Sequence, residues 1–128
     1  MVSPDLCPDL RICVGLDILY PAGYSKTMKY ELRSTRQFDK WLAGLKKKDR
    51  LTWARILNRI NNAAEGIFGD HKRVGDGIVE LRMFFGPGYR VYFTIYLTTI
   101  ILILAGGDKS SQGRDIELAK RLINDLED

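Results

Sequence analysis

The chain has 128 residues, 45% apolar and 28% charged, enough for one hydrophobic core and too apolar for wholesale disorder. Its longest apolar run, Ile100 to Ala105, falls far short of the roughly 20 residues of a membrane-spanning helix, so no transmembrane segment is expected. The formal charge of +4 favours polyanionic partners, and two cysteines without a histidine cluster support neither a disulfide framework nor a zinc site, which suits a reducing cytoplasm.

In residues 1–27, Pro4, Pro8 and Pro21 interrupt short apolar stretches and no helical or strand period persists. Ile12 to Tyr20 is broken by Gly15 and Asp17 and preceded by a single base, Arg11, which is a poor secretory signal. Met28 then opens a strand-like alternation, Met-Lys-Tyr-Glu-Leu-Arg. It is the expected native start, with residues 1–27 an extension that is either untranslated or a loosely held arm, and residues 28–128 the functional domain. Without the extension the 20 basic and 16 acidic residues become 18 and 13, a surplus of +5. The domain is the basic part.

Ser34 and Gln37 have capping-box spacing, and Phe38, Trp41, Leu42 and Leu45 recur at helical spacing, predicting a helix over Thr35 to Leu45. Lys46, Lys47 and Lys48 end it. Asp49 can cap a second helix to about Gly66 with Trp53, Ile56, Leu57, Ile60 and Ala64 as its buried stripe. Glycines 66, 69, 75 and 77 then interrupt the chain, and three strands follow: Ile78 to Phe84, Tyr89 to Leu97, and Thr99 to Ala105. Gly86-Pro87-Gly88 turns the first into the second. The apolar run of the third predicts a central strand covered on both faces. A last helix from about Gln112 carries Ile116, Ala119, Leu122, Ile123 and Leu126 toward the core.

Four phrases carry a family resemblance: Phe38-Asp39-Lys40-Trp41-Leu42, Gly77-Ile78-Val79-Glu80-Leu81-Arg82, Gly86-Pro87-Gly88-Tyr89-Arg90-Val91-Tyr92-Phe93, and Gly106-Gly107-Asp108-Lys109-Ser110. In this order, from Met28 to the C-terminus, they resemble the addiction-module killer-protein branch of the RelE/ParE toxin superfamily. The resemblance implies an α+β fold, a small antiparallel sheet with an N-terminal helical hairpin and a C-terminal helix. It also implies a monomeric bacterial toxin neutralised by a helix-turn-helix antitoxin. The superfamily contains ribosome-dependent enzymes that cleave messenger RNA and members that poison DNA gyrase, so activity has to be argued from residues.

RNA cleavage without a metal or cofactor needs a base for the ribose 2′-hydroxyl, an acid for the leaving 5′-oxygen, and fixed positive charge on the phosphate. Arginine binds phosphate with two parallel donors and stays protonated, and a crowded lysine can move protons. Strand alternation puts Glu80 and Arg82 on one face and Arg90 with Tyr92 on one face of the next strand. If the two faces coincide, the four groups form an RNA cradle. The resemblance places Arg90 where RNA-cleaving relatives contact phosphate, with Arg82 and Lys109 near further basic family positions. Those relatives carry lysines where this chain has Ile78 and Glu80, and a terminal tyrosine or histidine that it lacks. Glu80 is then a candidate base and Lys109 or Tyr92 a candidate acid; Tyr89, Tyr92 and Phe93 read mainly as core or strand-face residues, with Tyr92 the best candidate among them to stack on a splayed base.

Each residue also has a plainer reading. Glu80 and Arg82 can pair with each other or with neighbours at the surface, and Arg90 can serve a structural ion pair. Asp108 and Lys109 can simply shape the turn into the last helix. Lys72 and Arg73 follow His71 on an expected glycine-flanked loop, where they can contact ribosomal RNA or merely be solvated. Lys46 to Lys48 can dock RNA or only close a helix. Three functions compete: an mRNA-cleaving toxin, a gyrase poison of the same fold, and a decayed toxin kept as antitoxin partner.

Overall fold

The structure, a computed structural model, describes residues 30–127; the expected extension, both cysteines and Met28 lie outside the described residues. The elements are β1 (Glu31–Ser34), α1 (Arg36–Lys48), α2 (Arg50–Ala64), β2 (His71–Gly75), β3 (Ile78–Arg82), β4 (Tyr89–Tyr96), β5 (Ile100–Asp108), a short 3-10 turn (Lys109–Ser111) and α3 (Gln112–Glu127). The strands form one sheet in the order β1-β5-β4-β3-β2.

Helix α1 starts where a side chain replaces the missing backbone acceptors. Thr35 is the N-cap: its Oγ1 accepts from the Phe38 N–H at 3.2 Å and donates to the Leu104 carbonyl at 2.7 Å. The expected Ser34 cap is one residue early, because Ser34 still belongs to β1, opposite Ile103; its hydroxyl instead donates to Asp39 at 2.7 Å. The three lysines occupy the last turn, where cations complement the helix's exposed carbonyls. Asp49 caps α2 as expected, accepting from the Thr52 N–H at 3.1 Å and the Thr52 hydroxyl at 2.6 Å. The predicted stripe from Trp53 to Ala64 is buried.

Those two bonds, the side-chain one foremost, hold the Asp49 carboxyl below the usual aspartate range. A depressed folded-state pKa contributes stability that is present above the ordinary aspartate value and lost as pH falls through the folded value. Asp49→Ala is therefore expected to lower the melting temperature at about pH 7, and the gap from wild type should close toward about pH 2. Thermal scans of both proteins across that range check it; a gap independent of pH would rule out the charged cap.

Helices α1 and α2 pack on one face of the sheet around Phe38, Ile56, Leu57, Val91, Phe93, Ile101 and Ile103. Helix α3 covers the other through Ala119 and Leu122 against Ile78, Tyr92, Leu102 and Leu104. Strand β5 is buried on both faces, as its apolar run predicts, but β4 holds the middle of the sheet. Two further expectations need correction. The sheet is mixed, since β1 runs parallel to β5, and residues 71–75, expected as a loop, form the edge strand β2. That strand is polar and exposed, with a register shift between Arg73 and Gly75, so it lacks the one-sided apolar alternation by which strands are recognised. Among the described residues, no helix is long and apolar enough to cross a membrane.

Candidate functional site

The β3–β4 register sets Glu80 opposite Tyr92 and Arg82 opposite Arg90. Paired residues share a face, so the two faces that alternation left as a condition do coincide, and the four side chains converge on the α3 side. Lys72 lies opposite Glu80 on the edge strand and Gly107 opposite Arg90 on β5.

Glu80 is only 1% exposed, and burying a carboxylate is costly unless it is paired. Both oxygens are engaged: Oε1 accepts from Arg90 Nη1 at 3.1 Å and Oε2 from Gln112 Nε2 at 2.9 Å. The pair is nearly dry, the Arg90 side chain being 12% exposed. Arg90 therefore makes the ion pair of its plainer reading, while its Nε–H is buried without a partner. Tyr92 is fully buried and its hydroxyl lies beside Glu80 without a well-formed hydrogen bond. Burial first, and the Glu80 charge second, push the phenol's pKa far up. A ring so enclosed has no free face for a base.

Arg82 and Lys109 are more open. Arg82 Nη2 meets Asp70 Oδ1 at 3.2 Å with its side chain 32% exposed, and its guanidinium lies 5.8 Å from the centre of the Phe84 ring. Lys109 is exposed at the end of β5, above the β3–β4 turn: a Cβ on Gly88 would come within 3.7 Å of its Cβ. Asp108 shapes that corner, accepting from the Ser110 N–H at 2.9 Å, and the Ser110 bonds hold its carboxyl low.

Helix α3 adds two groups that sequence reading did not single out, Gln112 and Asp115. They sit three apart on the first turn, directly after the Gly-Gly-Asp-Lys phrase, and that spacing was the available signal. Asp115 accepts from the Ser111 hydroxyl at 2.6 Å and lies over Gly107, where any Cβ would come within 2.0 Å of its carboxylate. Burial raises its pKa and the Ser111 bond opposes the rise.

The other predicted RNA contacts are dispersed. Lys72 is exposed on the α3 side of β2, while Arg73 lies opposite Val79, whose side chain packs toward α1 and α2. His71 sits against Phe68 at 5.6 Å and bonds the Gly69 carbonyl through Nδ1 at 2.8 Å. Lys46, Lys47 and Lys48 close α1 on the opposite side of the sheet from Glu80, with the Lys46 ammonium 4.8 Å from the centre of the Trp53 ring.

No protein-family model matches the chain. No solved structure matches it. It is 43% identical over 99 residues to an uncharacterized protein of Haemophilus influenzae, an alignment that covers 77% of this chain and 98% of that protein. With that identity across nearly the whole of its relative, the chain belongs to the same family as the Haemophilus influenzae protein.

Proposed function

We propose that the chain is the toxin of a toxin–antitoxin pair and that it cleaves messenger RNA at the ribosome on the α3 side of its sheet. The observation that carries this reading is the pairing of Arg82 with Arg90 across β3 and β4, with Lys109 at the neighbouring strand end. Three cations around one strand turn form a phosphate seat. Arg82 and Lys109, the accessible members, bind the non-bridging oxygens, and Arg90 lies behind them, held in place by Glu80. In this scheme Glu80 is a positioning residue, because both its oxygens are already engaged.

The half-buried Asp115, with its raised pKa, accepts the 2′-hydroxyl proton. The 2′-oxygen attacks phosphorus in line, the bond to the 5′-oxygen breaks, and Lys109 returns a proton to that oxygen. The products are a 2′,3′-cyclic phosphate and a 5′-hydroxyl. An acidic segment of a helix-turn-helix antitoxin would neutralise the enzyme by occupying the same cations.

One observation favours a second reading: Glu80 and Arg90 neutralise each other under α3. A gyrase poison of the same fold needs no free catalytic set. Expression of the full chain in bacterial cells separates the two. The mRNA reading expects growth arrest with new 5′ ends inside translated messages. Arrest with double-strand DNA breaks and intact messages would move the assignment to gyrase, and unimpaired growth would leave only antitoxin binding.

A further inference from the structure

Phe84 is 76% exposed, and a large exposed aromatic calls for more explanation than a buried one. Its place in the fold follows from the strand pairing. Met83 is buried and its N–H bonds the Tyr89 carbonyl at 2.9 Å, so the β3–β4 pairing continues one residue past β3. Alternation then turns Phe84 to the side that carries Arg82 and Arg90, as its contact with the Arg82 guanidinium confirms. The next residue points elsewhere: Phe85 rests on Tyr89, ring centres 5.8 Å apart, with the Arg55 guanidinium 5.1 Å from its ring centre. Phe84 is left as an open ring at the rim of the cation cluster. Tyr92, the stacking candidate in the sequence, is enclosed, in line with its plainer reading as a core residue.

We infer that Phe84 is a nucleobase-stacking platform for single-stranded RNA, with Arg82 binding the phosphate beside the stacked base. Every base offers a π-face, so an exposed ring next to fixed cations holds a single strand without reading its sequence. Charge complementarity decides for RNA over an apolar protein surface: the Arg82 guanidinium adjoins the ring, and the exposed Lys109 stands over Gly88 of the β3–β4 turn in which Phe84 lies. The other exposed apolar residues near the sheet, Ile95, Tyr96 and Leu97, sit at the end of β4 opposite to Arg90 and in the turn that follows. This inference deepens the mRNA reading and rests on it for the identity of the strand.

The test is the affinity of the full chain for a short fluorescent 2′-O-methyl oligoadenylate, which binds but lacks the 2′-hydroxyl needed for cleavage. Phe84→Ala and Phe84→Leu should each weaken binding about tenfold or more, whereas Phe84→Tyr and Phe84→Trp should retain it. Arg82→Gln should weaken binding and reduce the slope of log affinity against log salt by about one. Equal affinity for wild type and Phe84→Ala would overturn the inference, as would Phe84→Leu binding like wild type; either result leaves the ring to a protein partner. Failure of the nuclease reading is distinguishable, because a chain that cuts no message yet binds the oligonucleotide through Phe84 keeps the platform and loses the reaction. A chain that cuts message while Phe84→Ala leaves oligonucleotide affinity unchanged keeps the reaction and loses the platform.

Discussion

Replacing Arg90 by alanine is expected to lower the free energy of unfolding by about 3–5 kcal/mol, a large part of what holds a domain of this size together. Arg90→Ala leaves the Glu80 carboxylate buried at 1% exposure with Gln112 as its remaining donor. A buried ion pair adds little over an apolar pair of similar shape, whereas half of one is costly. Glu80→Leu combined with Arg90→Met should therefore recover most of the loss. Urea unfolding of the three proteins measures this, the midpoint falling for Arg90→Ala and returning for the double variant. A change within about 1 kcal/mol for Arg90→Ala would mean that water reaches Glu80 and that the pair does not tie β3 and β4 to α3. Lost activity in Arg90→Ala alone cannot separate chemistry from folding, so the exposed cations are the better probes.

What could be read from sequence divides by range. The Asp49 cap and the stripe from Trp53 to Ala64 depend on neighbours within a few turns, and both are in the fold as expected. The sharing of a face by Glu80 with Arg82, and by Arg90 with Tyr92, was legible from the strand period of two, but that the two faces coincide depends on the β3–β4 register. Whether Ser34 or Thr35 caps α1 depends on the pairing of Ser34 with Ile103, nearly seventy residues away, and no local pattern reports it. The parallel pairing of β1 with β5 escaped for the same reason, whereas β2, a hairpin neighbour of β3, escaped because it is polar and exposed and lacks an apolar alternation. At the candidate site, alternation gives the face of Glu80 and Tyr92 but not what lies over it. Their burial beneath α3, and the resulting choice of Phe84 over Tyr92 as the open ring, emerged only with the tertiary packing.

Arg82→Ala combined with Lys109→Ala should leave the fold intact. Lys109 is exposed, and the Arg82–Asp70 contact is a partly solvated pair worth about 1 kcal/mol or less. Removing one group that stabilises transition-state charge commonly costs about a hundredfold in rate, and here two of the three cations of the proposed phosphate seat are lost. The decisive measurement is cleavage of a translated message by the purified full chain with ribosomes, read by mapping new 5′ ends, wild type beside Arg82→Ala/Lys109→Ala. The account predicts defined cuts within the reading frame by wild type and a drop of about a hundredfold or more in the double variant, with unfolding midpoints alike. A message left whole by wild type, or cut equally well by both proteins, would contradict it.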